Sequence, residues 1–271
     1  MNPAHPAVSL SFGRLGSPAG PPLSLEAEME RTACLGFERL SLCFGGRRDE
    51  PLLTARRRTA LAALARTHGL AIGSIYAEYF LGHRLVTGGG GPQFVLERVV
   101  DWASELGASY VSLPIAPEVA TVAELGLELS KQLAPALGLA SARGISIALG
   151  APVPARALSA LILRIDHPNL GLAYDTGMAA EAGLSNAQDL DLLAPRLIEL
   201  RVGDAEPGSG PCSLGRGRAG LPELLARVTR ERLPAQIVLC HHVGADAEFD
   251  ALRALNFVRL MCARGALGDA A

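Results

Sequence analysis

Short apolar runs alternate along this chain with longer stretches in which apolar residues recur every three or four positions. The first pattern is that of buried strands and the second that of amphipathic helices. Strands are predicted over residues 8–12, 39–43, 71–77, 110–115, 145–149, 170–174, 197–202 and 236–240. Helices are predicted over 25–35, 54–68, 93–106, 122–143, 155–165, 186–193, 221–231 and 246–262. Ser24 precedes the first helix, with Glu26 and Glu28 in its first turn, as the N-terminus of a helix favours. Gly36, Gly69 and Gly107 each follow a helical run and read as stops. Pro135 inside the fourth long helix predicts a kink or a division into two pieces.

Eight strands, each followed by a helix, within 271 residues is the arithmetic of a single-domain (β/α)8 TIM barrel. A doubly wound open sheet is the alternative. It usually has fewer strands and wants a Gly-rich first strand-to-helix turn, which is absent here. Residues 79–92, with Gly88 to Gly91, form the longest predicted segment without structure of its own, either a plain flexible loop or a lid. No phosphate-loop spacing accompanies that glycine run.

Composition narrows the class. With 49% hydrophobic and 19% charged residues the chain can bury a large core. The net charge is −2 and the longest basic run is Arg56-Arg57-Arg58, so neither nucleic acid nor an anionic membrane is an expected partner. Five cysteines without CxxC spacing suggest reduced thiols, not a disulfide framework or zinc knuckle. The N-terminus lacks the pattern of a signal peptide and no run is long enough to span a bilayer, so a cytoplasmic protein is expected.

The stretch His167 to Met178, HPNLGLAYDTGM, carries the most information. Its apolar run ends in the polar tip Asp175-Thr176-Gly177, and strand tips are where barrel chemistry sits. The stretch resembles the sixth strand of the xylose-isomerase-like barrels, which include sugar-phosphate isomerases and epimerases and commonly read HPN(L/V)G(L/V)xxDTGH there. Met178 stands where the family's substrate-contacting His would be. Further fragments resemble the family in order: GFERLSL at 36–42, ASELGASYVSLP at 103–114, ARGISIALG at 142–150, LIELRVGDA at 197–205, SLGRGRAGLPELLARV at 213–228 and IVLCHH at 237–242. The resemblance implies a ligand site at the C-terminal face and possible dimerisation through barrel helices.

In the family a divalent metal is held by Glu, Asp, His and Glu from strands five to eight, and the two Glu residues move a proton between adjacent carbons. Carried onto this chain those positions are Gly150, Asp175, Arg201 and Cys240. One ligand type of four survives. Mg²⁺ or Mn²⁺ needs several hard oxygen ligands, and a guanidinium puts a fixed positive charge where a ligand belongs. The resemblance therefore implies a dismantled metal site, and neither metal nor cofactor is expected. The zinc endonuclease relatives on this fold need His and Glu ligands for several zinc ions, and none of the six His here sits at the tips of strands three or four.

Two readings of the remodelled centre stand side by side. In one, Asp175 and Arg201 are a structural ion pair and the protein is a pseudoenzyme serving as a ligand-binding or partner subunit. In the other, Arg201 replaces the metal's charge on a carbonyl or enolate, Asp175 orients it, and Cys240 is base or nucleophile if Arg201 lowers its pKa, with a small packing residue as the alternative for Cys240. That chemistry would be metal-independent isomerisation, epimerisation or a related carbonyl step on a sugar-like or keto-acid substrate. His242 is placed inward by strand parity, with solvent exposure as the alternative. Asp175, Cys240 and His242 also resemble a zinc set, which Arg201 opposes. Glu78 is a second candidate base near the top face, or a solvated loop residue. Asp204 matches the family's acid after the seventh strand and is expected to bind loop backbone or substrate. Arg216 and Arg218 are candidates for a phosphate or carboxylate, or plain surface arginines. A cavity walled by these polar groups favours the enzyme, and a mouth plugged by Met178, Tyr79 or the Gly88 to Gly91 loop favours the pseudoenzyme.

Overall fold

The structure, a computed structural model, describes residues 7–11, 23–47, 51–85, 90–115, 122–184, 189–240 and 246–267. Eight parallel strands close into a barrel: β1 (Val8–Ser11), β2 (Arg39–Cys43), β3 (Ala71–Tyr76), β4 (Tyr110–Pro114), β5 (Ser146–Gly150), β6 (Leu170–Asp175), β7 (Leu197–Val202) and, after a hairpin, β10 (Gln236–Leu239). The hairpin is β8 (Asp204–Glu206) with β9 (Gly210–Cys212). Around the barrel run α1 (Leu25–Cys34), α2 (Ala55–Thr67), α3 (Tyr79–Gly82), α4 (Gly90–Leu106), α5 (Val122–Arg143), α6 (Ala155–Ile165), α7 (Thr176–Glu181), α8 (Asp189–Leu193), α9 (Leu221–Arg230) and α10 (Ala247–Leu267). Every predicted strand and helix is present, with ends displaced by a few residues.

The caps explain several boundaries. The Ser24 side chain accepts the N–H of Ala27 at the start of α1, and Gly36, Gly69 and Gly107 all take the left-handed conformation just past a helix. Three expectations need correction. Pro135 does not divide the helix into two pieces: it lies inside the single α5, beside buried Leu133, Ala136 and Leu137. The segment 79–92 contains the turn α3 and the first residues of α4, so Gly90 and Gly91 are helical; residues 86–89 lie outside the described ones. The hairpin β8–β9 was not foreseen, because each strand has only three residues and Gly208 and Gly210 obscure any alternation.

The strands alternate in a way that decides the site. Leu10, Leu40, Ile75, Val111, Ile147, Leu172, Leu200 and Ile237 are fully or almost fully buried on the outer face beneath the helices. Burial of such side chains stabilises the fold by about 1.5–3 kcal/mol each. The inner face is instead small and polar: Ser9, Ser41, Ser74 and Ser112, with Tyr110, Glu199 and Arg201. Ser74 donates to Ser41 at 2.8 Å, and Arg39 on β2 reaches past β1 to Gln236 on β10 at 2.8 Å. Barrel interiors are commonly filled by bulky branched residues. Here short side chains leave room for a charged group at the upper end.

Candidate functional site

The tip of β6 is stitched to β7 by the Asp175-Thr176-Gly177 turn. The buried Thr176 hydroxyl donates to the Gly203 carbonyl at 2.6 Å and accepts the Gly203 N–H at 3.1 Å. Asp175 is the N-cap of α7, its Oδ1 accepting the Met178 N–H at 2.9 Å. Ladder register places Asp175 beside Arg201, and its Oδ2 lies 3.5 Å from Arg201 Nε. The predicted pair is therefore formed.

Arg201 has two further partners. Its Nη1 lies 3.0 Å from Glu199 Oε1, two residues down the same strand, and its guanidinium carbon sits 3.9 Å from the ring centre of Tyr76 on β3. Burial opposes the charge on Arg201, but Glu199, Cys240 and Asp175 hold its pKa above the ordinary value, so it remains a cation. Glu199 is fully buried, and burial pushes its carboxyl pKa up against the downward pull of Arg201. The Ser112 hydroxyl lies near Glu199 but outside hydrogen-bond geometry. Burial likewise raises the phenol of Tyr76, with Arg201 opposing, which keeps it a neutral donor. Arg201 Nε and Glu199 Oε2 have no aligned hydrogen-bond partner among the described residues.

A cleft of about 490 Å³, including its open mouth, lies above this cluster. Asp175, Arg201, Tyr76 and Ser112 line its polar part, and Leu81, Ile115, Val153 and Met178 are among its apolar walls. The mouth is therefore not closed by Met178, which forms one wall, nor by Tyr79, which stacks between Phe44 and His83.

The other predicted residues fall elsewhere. Cys240 is buried and follows β10 on the side of Arg201 away from Asp175, its thiol donating to the Val202 carbonyl at 3.6 Å. It is not among the described residues that line the cleft. Glu78 is exposed beyond β3 and accepts the Cys43 thiol at 3.2 Å, also away from the cleft wall. Asp204 is buried, and its carboxylate accepts the N–H groups of Ala205, Gly215, Gly217 and Ala219 at 2.8–3.1 Å. Of the two roles expected for Asp204, it fills that of organising loop backbone. Arg216 and Arg218 are exposed and do not line the cleft; Arg218 pairs with Glu206 on β8. His242 lies outside the described residues.

Glu199, Tyr76 and Ser112 escaped sequence reading. A signal for the first was present: Glu199 and Arg201 stand two apart in LIELRV, so strand parity puts both side chains on one face. Tyr76 and Ser112 become neighbours of that pair only when the barrel closes.

Of the positions where the sequence resemblance expects metal ligands, Arg201 is a cation paired with Asp175, and Cys240 is a thiol directed at backbone. At Gly150 even an added Cβ would lie 3.0 Å from the Ala173 carbonyl oxygen. Among the described residues no three His, Cys, Asp or Glu side chains gather as a metal site.

No family model and no curated protein sequence matches the chain. Solved structures do match. A xylose isomerase domain protein from Planctomyces limnophilus superposes with a TM-score of 0.77 at 18% identity, covering 98% of this chain and 100% of that one. D-psicose 3-epimerase with D-tagatose from Clostridium cellulolyticum H10 superposes at 0.75 and 13% identity, covering 94% and 99%. A sugar phosphate isomerase/epimerase from Parabacteroides distasonis superposes at 0.73 and 14% identity, covering 94% and 96%.

Proposed function

On this xylose-isomerase-like barrel, we propose that the chain binds a small carbonyl-bearing molecule at its C-terminal face and isomerises it without the divalent metal. The observation that carries this reading is Arg201, a buried guanidinium lining the cleft within reach of a carboxylate that also lines it. A cation in a poorly solvated site stabilises the negative charge that builds on a carbonyl oxygen during enolisation. Asp175 removes the proton from the carbon next to the carbonyl, the electron pair moves to the oxygen, and Arg201 holds the enolate. Where that carbon carries a hydroxyl, the hydroxyl proton passes to the former carbonyl oxygen, the oxygen left behind becomes the new carbonyl, and Asp175 returns its proton to the former carbonyl carbon. Among the described residues Asp175 is the sole carboxylate lining the cleft. One base serves one face of the enolate, which favours isomerisation over epimerisation.

A second reading, a non-catalytic ligand-binding or partner subunit, is favoured by the engagement of both Asp175 oxygens, one by Met178 N–H and one by Arg201. Proton exchange decides between the two. Carbonyl ligands incubated with the protein in D₂O gain deuterium next to the carbonyl if the first reading holds, and a chelator leaves the rate unchanged. Binding without exchange moves the protein to the second reading. Exchange that disappears with a chelator and returns with Mg²⁺ or Mn²⁺ overturns the metal-free centre.

A further inference from the structure

Resting on that reading, we infer that the ligand is an uncharged carbonyl compound with an apolar body, not a phosphate ester or a carboxylate. Two independent features of the cleft point there.

The first is its charge. Arg201 is the one basic side chain lining the cleft among the described residues, and it already faces two carboxyl groups, Asp175 and Glu199. With Glu199 protonated the three groups sum to zero; with it ionised they sum to minus one. Neither state gives the described lining a net positive charge. An anion entering the cleft loses its hydration without a Coulombic return, which makes phosphate and carboxylate poor occupants. The arginines that would take a phosphate, Arg216 and Arg218, are exposed and away from the cleft wall, and Arg218 is spent on Glu206.

The second is its wall. Leu81, Ile115, Val153, Met178 and Ala179 bring hydrocarbon or thioether surface to the cavity, and Pro114 and Pro152 have no N–H to donate. A sugar presents a hydroxyl on nearly every carbon, and each one buried without a partner carries a desolvation cost. Among the described residues the polar side chains of the cleft cluster at Arg201, Asp175, Tyr76 and Ser112, enough for one polar head, while the Tyr174 hydroxyl is taken by Asp189. A ring or short chain bearing one carbonyl and a neighbouring hydroxyl matches that division, and the hydroxyl is what lets the enolate isomerise.

The test is calorimetric titration of the full chain with cyclohexanone, phenylpyruvate, D-fructose, D-fructose 6-phosphate and toluene. The same titrations are run on the paired variant Glu199→Gln/Arg201→Met and on Val153→Asp, with circular dichroism to confirm that each is folded. The expected result is cyclohexanone binding at least tenfold tighter than the oxo acid, the sugar or the sugar phosphate. That binding weakens at least tenfold in each variant. Tighter binding of phenylpyruvate, D-fructose or D-fructose 6-phosphate, lost in the paired variant, overturns this inference and leaves the arginine-centred function standing. Toluene binding as tightly as cyclohexanone, with no loss in the paired variant, keeps the apolar cleft but removes Arg201 from the function. Binding by none of the five overturns both.

Discussion

Glu199 and Arg201 stand two residues apart on one strand, carboxyl to guanidinium at 3.0 Å, and both are almost wholly withdrawn from water. Each is the other's main reason for being tolerable inside the barrel. Removing Arg201 alone leaves a buried acid unpaired. Arg201→Met is therefore expected to lower stability by about 3–5 kcal/mol, whereas Glu199→Gln/Arg201→Met loses less than the single change. Urea unfolding of the wild type, both single variants and the double variant measures the coupling. Additive effects would mean that the pair is not coupled.

The raised pKa of Glu199 gives stability an unusual pH slope. In the folded chain the proton is held above the ordinary value of 4.5, whereas the unfolded chain releases it there. Between those two values the folded state binds more protons, so stability falls as pH rises. This contribution is complete below the unfolded pKa and lost as pH passes through the folded one. Melting temperature against pH, wild type minus Glu199→Gln, is expected to decline across that window. A flat difference would show that Glu199 titrates normally.

Asp175 combines a structural duty with the proposed chemical one, and the two separate cleanly. Asparagine also caps helices well, so Asp175→Asn keeps the α7 cap; what it removes is the charge facing Arg201, which Glu199 still pairs. The amide cannot take up a proton as a base. Deuterium exchange into a bound ketone should fall by about 10²–10⁴-fold. Exchange at the wild-type rate in this variant would remove Asp175 from the chemistry.

Asp204 holds the loop after the hairpin through the N–H groups of Gly215, Gly217 and Ala219, and also accepts the Ala205 N–H on β8. Asp204→Ala strands those donors, and a loss of about 2–3 kcal/mol is expected with faster amide exchange over residues 213–219. Gly217→Ala should act on the same loop, because a Cβ there would overlap the Asp204 carboxylate and the Ala205 backbone. Hydrogen-exchange mass spectrometry reads both. Unchanged protection would show that the loop does not depend on Asp204.

Gly265 permits α10 to lie against α9. An added Cβ would collide with the carbonyl oxygen of Ala226, a backbone atom that cannot rotate away. Gly265→Ala raises helix propensity, yet it is expected to destabilise by about 1–3 kcal/mol through this overlap. Thermal melting settles the sign.

The order of strands and helices, their stops at Gly36, Gly69 and Gly107, and the place of Asp175 at a strand tip were legible in the chain alone. They depend on periodicity and backbone preference, which are local properties. The closeness of Asp175 to Arg201 followed from strand adjacency, once the barrel was taken as given. What no local pattern contained was the environment of those two groups. Tyr76 meets Arg201 from across the barrel, and the thiol of Cys240 turns to the Val202 carbonyl. The wall facing Asp175 is made of residues such as Ile115 and Val153, far away in sequence. Strand parity could say that Glu199 and Arg201 share a face. Only closure of the barrel decided that this face is dry, and that dryness shifts the acid, fixes the cation and selects the ligand.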